Sequence, residues 1–262
     1  MTVLVACAGG FVGAALARAV PGCRTAGHRE AASALDGVDV AIWCGRDPRL
    51  GGDGWKLDDD AELAFARNCA AAGAHLLSLG TRKVYAPSPA PLAESAALGP
   101  IDAYGRQKLA LEDALHAVLG AGLTRLRLAN VFGWEPGRRT FMGQMLAGLA
   151  EHGEIRFDMS PFTRRDFLAV DDAAALIAAL AADPPGGIVN VGSGFGLETG
   201  RLAMALIRGY GRGRLAVDSA EERDAFVLDT GRLFWRTGMA VTAGRAEAAA
   251  AGIGERLAQY LA

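Results

Sequence analysis

Residues 2–6 form a short, partly β-branched apolar run that passes directly into Cys7-Ala8-Gly9-Gly10-Phe11-Val12-Gly13 and then into an alanine-rich stretch over residues 14–20. A strand, a glycine turn and a helix in immediate succession commit the chain to an α/β architecture, because the helix must fold back over the strand it leaves. Glycines at such a turn let the backbone approach a charged ligand, and the free N–H groups of the first helical turn can meet a pyrophosphate. The string therefore reads as the opening of a dinucleotide-binding unit, with Gly10, Phe11, Val12 and Gly13 as candidate cofactor contacts; a plain packing turn of small residues has the same composition. Cys7 occupies the first place of the spacing, where a further glycine is expected.

Pro21-Gly22 ends the first helix, and residues 23–27 predict a short second strand leading to His28-Arg29-Glu30. In a dinucleotide fold this is where the ribose is selected. A guanidinium at Arg29 would welcome a 2′-phosphate, so NADP(H) is the preferred cofactor, while Glu30 next to it keeps NAD(H) possible; a solvated loop charge is the plainer reading of Arg29. Residues 31–36 predict one short helix, and residues 38–44 are apolar almost throughout, as expected of a parallel strand buried on both faces. Arg46, just past that strand, is a second candidate for cofactor phosphate, in a glycine-rich loop expected to be loose.

Further alternation follows. Helices are predicted over residues 58–72, 100–120, 141–151, 171–182, 197–209 and 245–261, and strands over residues 74–79, 123–128, 154–157 and 188–191, with a mixed tail that includes residues 225–229. The fold class expected is α/β, a Rossmann-type doubly wound parallel sheet with a small C-terminal substrate-binding region. Residues 1–132 plus 167–190 are assigned to the dinucleotide-binding domain, and 133–166 plus 191–262 to the smaller region.

The chemistry concentrates in Pro100-Ile101-Asp102-Ala103-Tyr104-Gly105-Arg106-Gln107-Lys108. A helix continued by Leu111, Leu115 and Val118 places Tyr104 and Lys108 on one face, a turn apart. A nearby lysine charge favours a phenolate, which turns a tyrosine into a proton shuttle useful at neutral pH. Thr81, at the end of the strand before it, could hold a carbonyl oxygen through its hydroxyl. Alone, the Tyr-x-x-x-Lys spacing equally suits a half-buried tyrosine beside a snorkelling lysine.

Composition narrows the classes. With 27 Lys and Arg against 29 Asp and Glu the net charge is −2, and no basic block tracks a phosphate backbone, so nucleic acid is not an expected partner. Cys7, Cys23, Cys44 and Cys69 lack zinc or disulfide spacing, and His28, His75, His116 and His152 are scattered, so no metal site is expected. No apolar run reaches membrane-spanning length and no basic leader precedes Val3; a cytoplasmic protein without a membrane partner is expected.

Taken together, the motifs resemble the extended short-chain dehydrogenase/reductase family, in its NAD-dependent epimerase/dehydratase branch, whose usual substrates are nucleotide sugars. The resemblance rests on Gly10-Phe11-Val12-Gly13, Gly37-Val38-Asp39-Val40, Thr81 with Val84-Tyr85, Pro91-Leu92-Ala93-Glu94-Ser95 and Tyr104-Gly105-Arg106-Gln107-Lys108. It continues through Arg127 to Gly133, the Arg165-Asp166-Phe167 segment up to Asp172, and Asn190-Val191-Gly192-Ser193-Gly194. It implies Tyr104 as general acid/base, Lys108 as the group that binds the nicotinamide ribose and tunes the tyrosine, and Thr81 as hydrogen-bond partner of the reacting oxygen. Lys83, Asn130 and Arg165 are the expected substrate contacts, against a turn-capping role for Asn130 and an ion pair of Arg165 with Asp166 or Asp171. A homodimer through the helices over 58–72 and 100–119 is also implied.

The departures set the subclass. Family dehydratases carry an Asp-Glu pair after the threonine; Arg82-Lys83 stand there, so water elimination lacks its acid and base. Lys83 also takes the place of a cysteine used by related epimerase-reductases. Between the second strand and Val38 the family usually has another strand and helix, absent from this chain. The expectation is NADPH-dependent reduction of a keto group on a nucleotide-linked sugar, a 4-keto-6-deoxyhexose; an NAD-dependent epimerase and a non-catalytic binding subunit are the alternatives.

Overall fold

Short apolar runs paired in parallel build the centre of the protein. The computed structural model describes residues 1–222 and 226–262, so Ala225, read above as part of the mixed tail, lies outside the described residues. Strands β1 (Val3–Ala6), β2 (Arg24–Ala26), β3 (Val40–Trp43), β4 (His75–Thr81), β5 (Leu123–Leu128) and β9 (Gly187–Val191) form one sheet in the order β2-β1-β3-β4-β5-β9. Every pairing in it is parallel. β1 and β3 are buried along their whole length, which is why they lack a polar alternate position.

Because side chains alternate across a strand, each face of the sheet has its own core. Val5, Ile42, Leu77 and Val189 point toward α1 (Phe11–Ala19) and α5 (Val170–Ala182), packing with Leu16 and Ile177. Leu4, Trp43, Leu76 and Leu123 point the other way, against α2 (Ala61–Ala72) and α3 (Ala103–Leu119), where Phe65, Leu111 and Leu115 meet them.

β2 is the sheet's edge, and residues 27–39 return from it to β3 without a further strand or helix. The helix expected over residues 31–36 is only a 3₁₀ turn, Ser33–Leu35. So short a return has room to plug the sheet face with Ala31, Leu35 and Val38, and Gly37 at φ 64° turns the chain into β3. The helix expected from residue 58 begins at Ala61, where the Asp60 carboxylate accepts from the Glu62 N–H; residues before it form a 3₁₀ turn, Leu57–Asp59.

A second core lies past the sheet's end. It joins α4 (Phe141–His152), β7 (Glu154–Phe157), α6 (Thr199–Tyr210) and α8 (Ala243–Tyr260) through Leu146, Leu149, Phe157, Leu202, Leu206 and Leu257. β7 pairs in parallel with β11 (Arg214–Val217). β6 (Asn130–Phe132), β8 (Arg164–Ala169) and β10 (Gly196–Glu198) form a three-stranded sheet between the two cores, in the order β10-β8-β6. α7 (Gly231–Thr237) turns back to the main sheet, with Leu233 and nearby Val241 in its core. Among the described residues no helix is long and apolar enough to cross a membrane, and no group of His, Cys, Asp or Glu is placed to hold a metal ion.

Candidate active site

The turn after β1 is bare backbone where a ligand would approach it. Gly13 is required by packing, since a β-carbon there would lie 2.6 Å from the Cys7 carbonyl oxygen and 2.9 Å from the Ala8 Cα. Gly9 has nothing within 4 Å of such an atom, and Gly10 only the Cys7 carbonyl at 3.5 Å. Gly10 caps α1 without any side-chain hydrogen bond, so the first-turn amides stay open. A pyrophosphate fits this cradle of uncapped amides free of β-carbons. Cys7 holds φ at 60°, a left-handed conformation that costs a residue with a β-carbon about 1–2 kcal/mol. Its sulfur sits beside Gly45 and Trp43. Burial, then the nearby Glu62 charge, push the Cys7 thiol up to about 11, so it is neutral at physiological pH.

Arg29 and Glu30 follow β2 in an exposed turn. The Glu30 carboxylate folds back against Gly27, whereas Arg29 has no ion pair among the described residues.

Arg46 packs on α3. Its guanidinium lies over the Tyr104 ring, 5.0 Å from the centroid, and its Nη2 donates to the Leu50 carbonyl at 3.2 Å. The glycine-rich segment expected to be loose is held down by α3. The Gln107 Oε1 accepts from the Gly51 N–H at 2.7 Å, and the Gln107 Nε2 donates to the Gly52 carbonyl at 2.9 Å.

Thr81 ends β4 and Tyr104 opens α3, and Gly105 brings the two segments together. A β-carbon at Gly105 would run into the Lys83 carbonyl and lie 2.9 Å from the Pro100 Cβ, so the 3₁₀ turn Arg82–Val84 rests directly on the first turn of α3. Asp102 caps that helix by accepting from the Gly105 N–H at 2.7 Å, and its other oxygen takes the Lys83 Nζ at 2.6 Å. Lys83, expected at the substrate, is thus committed to the helix start. The Thr81 Oγ accepts from the Lys83 N–H at 3.3 Å, leaving its own proton available to donate.

One turn below Tyr104, Lys108 is buried with its Nζ 3.4 Å from the Glu62 Oε2. Burial opposes the ammonium charge, but Glu62 foremost and Tyr104 next outweigh it and raise Lys108 above the ordinary lysine value. Glu62 also accepts from the Ser78 Oγ at 2.5 Å. Behind it, Glu112 pairs with Arg127 at 2.8 Å, and Gly80 makes the space: a β-carbon there would lie 2.7 Å from the Glu112 Oε1. Sequence reading missed Glu62, Ser78 and Glu112. Glu62 passed for a dipole-complementing acid at a helix start, and the available signal was Ser78, a polar residue in an otherwise apolar strand.

Asn130 and Arg165 lie on the small sheet. The Asn130 Nδ2 donates to the Asp166 carbonyl at 3.0 Å, tying β6 to β8. Arg165 pairs with neither Asp166 nor Asp171 among the ion pairs described. It stacks over Phe141 at 5.3 Å and donates to the Met159 sulfur at 3.4 Å, on the wall of a cavity of about 230 Å³ also lined by Gln144, Arg156 and Phe157. Asp166 faces the other way, accepting from the Ser193 N–H and Oγ at 2.8 and 2.7 Å.

Residues 60–192 match the sequence model of the NAD dependent epimerase/dehydratase family. No curated protein matches the chain in sequence. Among solved structures, MoeE5 in complex with UDP-glucuronic acid and NAD superposes with a TM-score of 0.80 at 18% identity, over 98% of this chain and 99% of that one. UDP-N-acetylglucosamine 4-epimerase from Methanobrevibacter ruminantium M1, in complex with UDP-N-acetylmuramic acid, gives 0.81 at 16% identity over 99% and 98%. RMD from Pseudomonas aeruginosa complexed with NADPH gives 0.79 at 18% identity over 99% of each chain. At such identities the likeness is one of fold.

Proposed function

From the premise that this chain belongs to the NAD dependent epimerase/dehydratase family, we propose that it reduces a keto group on a nucleotide-linked sugar, a 4-keto-6-deoxyhexose, with NADPH as reductant. This reading is supported by Thr81 at the end of β4, leading into the 3₁₀ turn that packs on the first turn of α3, and by Tyr104 and Lys108 one turn apart on that helix, while Arg82 and Lys83 stand where elimination chemistry needs carboxylates.

The bare turn from Gly9 to Gly13 would hold the cofactor's pyrophosphate, and the Lys108 ammonium would meet the nicotinamide ribose. When bound, the nicotinamide supplies a hydride. The Thr81 hydroxyl donates a hydrogen bond to the keto oxygen and holds it in place. Tyr104 gives its phenolic proton to that same oxygen, so the carbonyl becomes an alcohol, and Lys108 offsets the charge left on the phenolate. Arg165, beside the cavity under α4, is suited by its guanidinium to a nucleotide's diphosphate. Asn130, its side chain held by the Asp166 carbonyl, would be a second substrate contact. Arg29 would favour the 2′-phosphate. A homodimer through the outer faces of α2 and α3 accompanies this reading and is checked by light scattering.

An NAD-dependent epimerase is the second reading, favoured by the Glu30 carboxylate folded against the end of β2, where it can meet a ribose diol. The test is to mix purified protein with NADPH or NADH and a dTDP- or UDP-linked 4-keto-6-deoxyhexose, following nicotinamide absorbance. Consumption of NADPH with formation of the alcohol supports the reductase. An unchanged keto sugar, with a known reductase active in parallel, rejects it, and NAD retained through purification points to the epimerase.

A further inference from the structure

Behind Tyr104 lie four buried charges, of which the proposed reaction uses one. Lys108 is 4% exposed, Glu62 3%, Glu112 1% and Arg127 2%. Arg127 satisfies Glu112 through Nη2 and Nε at 2.8 and 3.1 Å, so that pair is closed. Lys108 is left with Glu62, the carboxylate of α2 that faces its nitrogen. Glu62 is itself fixed. Ser78 binds its Oε1 at 2.5 Å, and its N–H donates at 2.8 Å to Asp60, whose other oxygen accepts from the Trp55 indole at 2.8 Å. An ammonium this deeply buried stays charged only beside a counter-charge.

We propose that Glu62 is a positioning residue for the reaction: it holds Lys108 charged and in place one turn below Tyr104, while touching neither substrate nor cofactor itself. The inference rests on the roles given above to Tyr104 and Lys108. Other charged or titratable groups flank the pair, among them Asp58 and Asp59 in the 3₁₀ turn packed on α2 and α3 and Arg46 over the Tyr104 ring. α3 contributes Tyr104 and Glu112, α2 contributes Asp60, and β4 contributes the neutral Ser78. Arg127 of β5 is occupied by Glu112. At the ends of β1 and β3 stand the thiols of Cys7 and Cys44, both pushed up by burial and uncharged. Glu62 is therefore the group whose removal leaves Lys108 without a near counter-ion. The tyrosine then loses the lysine charge beneath it at a lower pH, Arg46 staying over its ring, and the alkaline limb of turnover moves down.

The experiment compares the full-length wild type with Glu62→Gln, Glu62→Asp and Ser78→Ala, each checked for fold by circular dichroism. The Lys108 ammonium is followed directly by NMR on nitrogen-labelled lysine, identified by its loss in Lys108→Met, and titrated without substrate. In parallel, kcat and KM are measured against pH with NADPH and the keto sugar. In Glu62→Gln the Lys108 titration should move down by about one pH unit or more, a tenfold loss of proton affinity. kcat should fall at least about tenfold at neutral pH with KM little changed, and Glu62→Asp should recover most of both. Should Glu62→Gln not fold, Ser78→Ala, which keeps the carboxylate but strips one hydrogen bond from it, should move the titration the same way by less. An unmoved Lys108 titration in folded Glu62→Gln, or in Ser78→Ala if that is the variant that folds, overturns the proposal, as does wild-type turnover of Glu62→Gln across the pH range. A wild type that leaves the keto sugar untouched while its Lys108 titration still depends on Glu62 removes the reductase assignment and upholds the coupling.

Discussion

Tyr104 is half-exposed under Arg46 while its helix partner Lys108 is buried, so the ring keeps a side open to solvent and the ammonium lies inside. Tyr104→Phe removes the phenolic hydroxyl and keeps the ring on which Arg46 stacks. It is expected to lower kcat by about 10²–10⁴-fold while leaving NADPH affinity, read by fluorescence titration, close to wild type. At this scale the sequence was informative where residue type and helical spacing fix a position, as in placing Thr81 at the end of β4 and Tyr104 and Lys108 a turn apart on α3. It was silent where a side chain finds its partner across the fold. Nothing local says that Arg46 will lie over Tyr104, that Lys83 will turn to Asp102, or that Glu62 on one helix will face Lys108 on another. Cys7 falls between these cases. Its departure from glycine was plain, but that a cysteine would accept φ 60° there and turn its sulfur toward Gly45 was not.

Elements are placed by their ends. The start of α3 is fixed by Asp102, whose partial burial works against its charge but whose bonds to Lys83 and the Gly105 N–H hold it below the ordinary carboxylate range. A depressed carboxyl stabilises the fold above its unfolded pKa of about 3.9 and loses that effect as pH falls through the folded value. Asp102→Asn keeps a capping oxygen and removes only the charge. The wild type should therefore melt above this variant at neutral pH, with the gap in Tm closing as the pH is taken below about 4. Gln107 gives the second prediction: Gln107→Ala frees the backbone of Gly51 and Gly52, and hydrogen exchange of residues 45–54 should quicken while the rest of α3 keeps its protection. Long elements were legible because apolar period and cap residues agree, as in α3 and α4. β6, β10 and β11 were not, because strands of three or four residues exist by virtue of the partner they pair with. α7 is one short turn-rich segment, and the helix expected over residues 31–36 shrank to Ser33–Leu35 because the return to β3 is too short to hold more.

In the whole molecule the second core depends on close approach of two helices. A β-carbon on Gly209 would strike the Ala251 carbonyl, and one on Gly254 the Leu206 carbonyl, so α6 and α8 touch backbone to backbone. Gly254→Val should force them apart and destabilise the protein by about 1–3 kcal/mol or more, read as a lower midpoint in urea. The general architecture of sheet and flanking helices was readable from the alternation of runs, but this seam was not, since alanine and glycine spacing in α8 carries little pattern of its own. The seam also fixes a sequence of events in time. Ala246, Ala250 and Leu257 complete the second core, and Leu233 and Val241 complete the first. While the chain is being made, residues 1–222 can emerge with their strands and helices formed and still present unfilled apolar faces to the cell. Only when residues 243–260 leave the ribosome can both cores close, so the interval before that moment is when this protein is most exposed to chaperones and to aggregation.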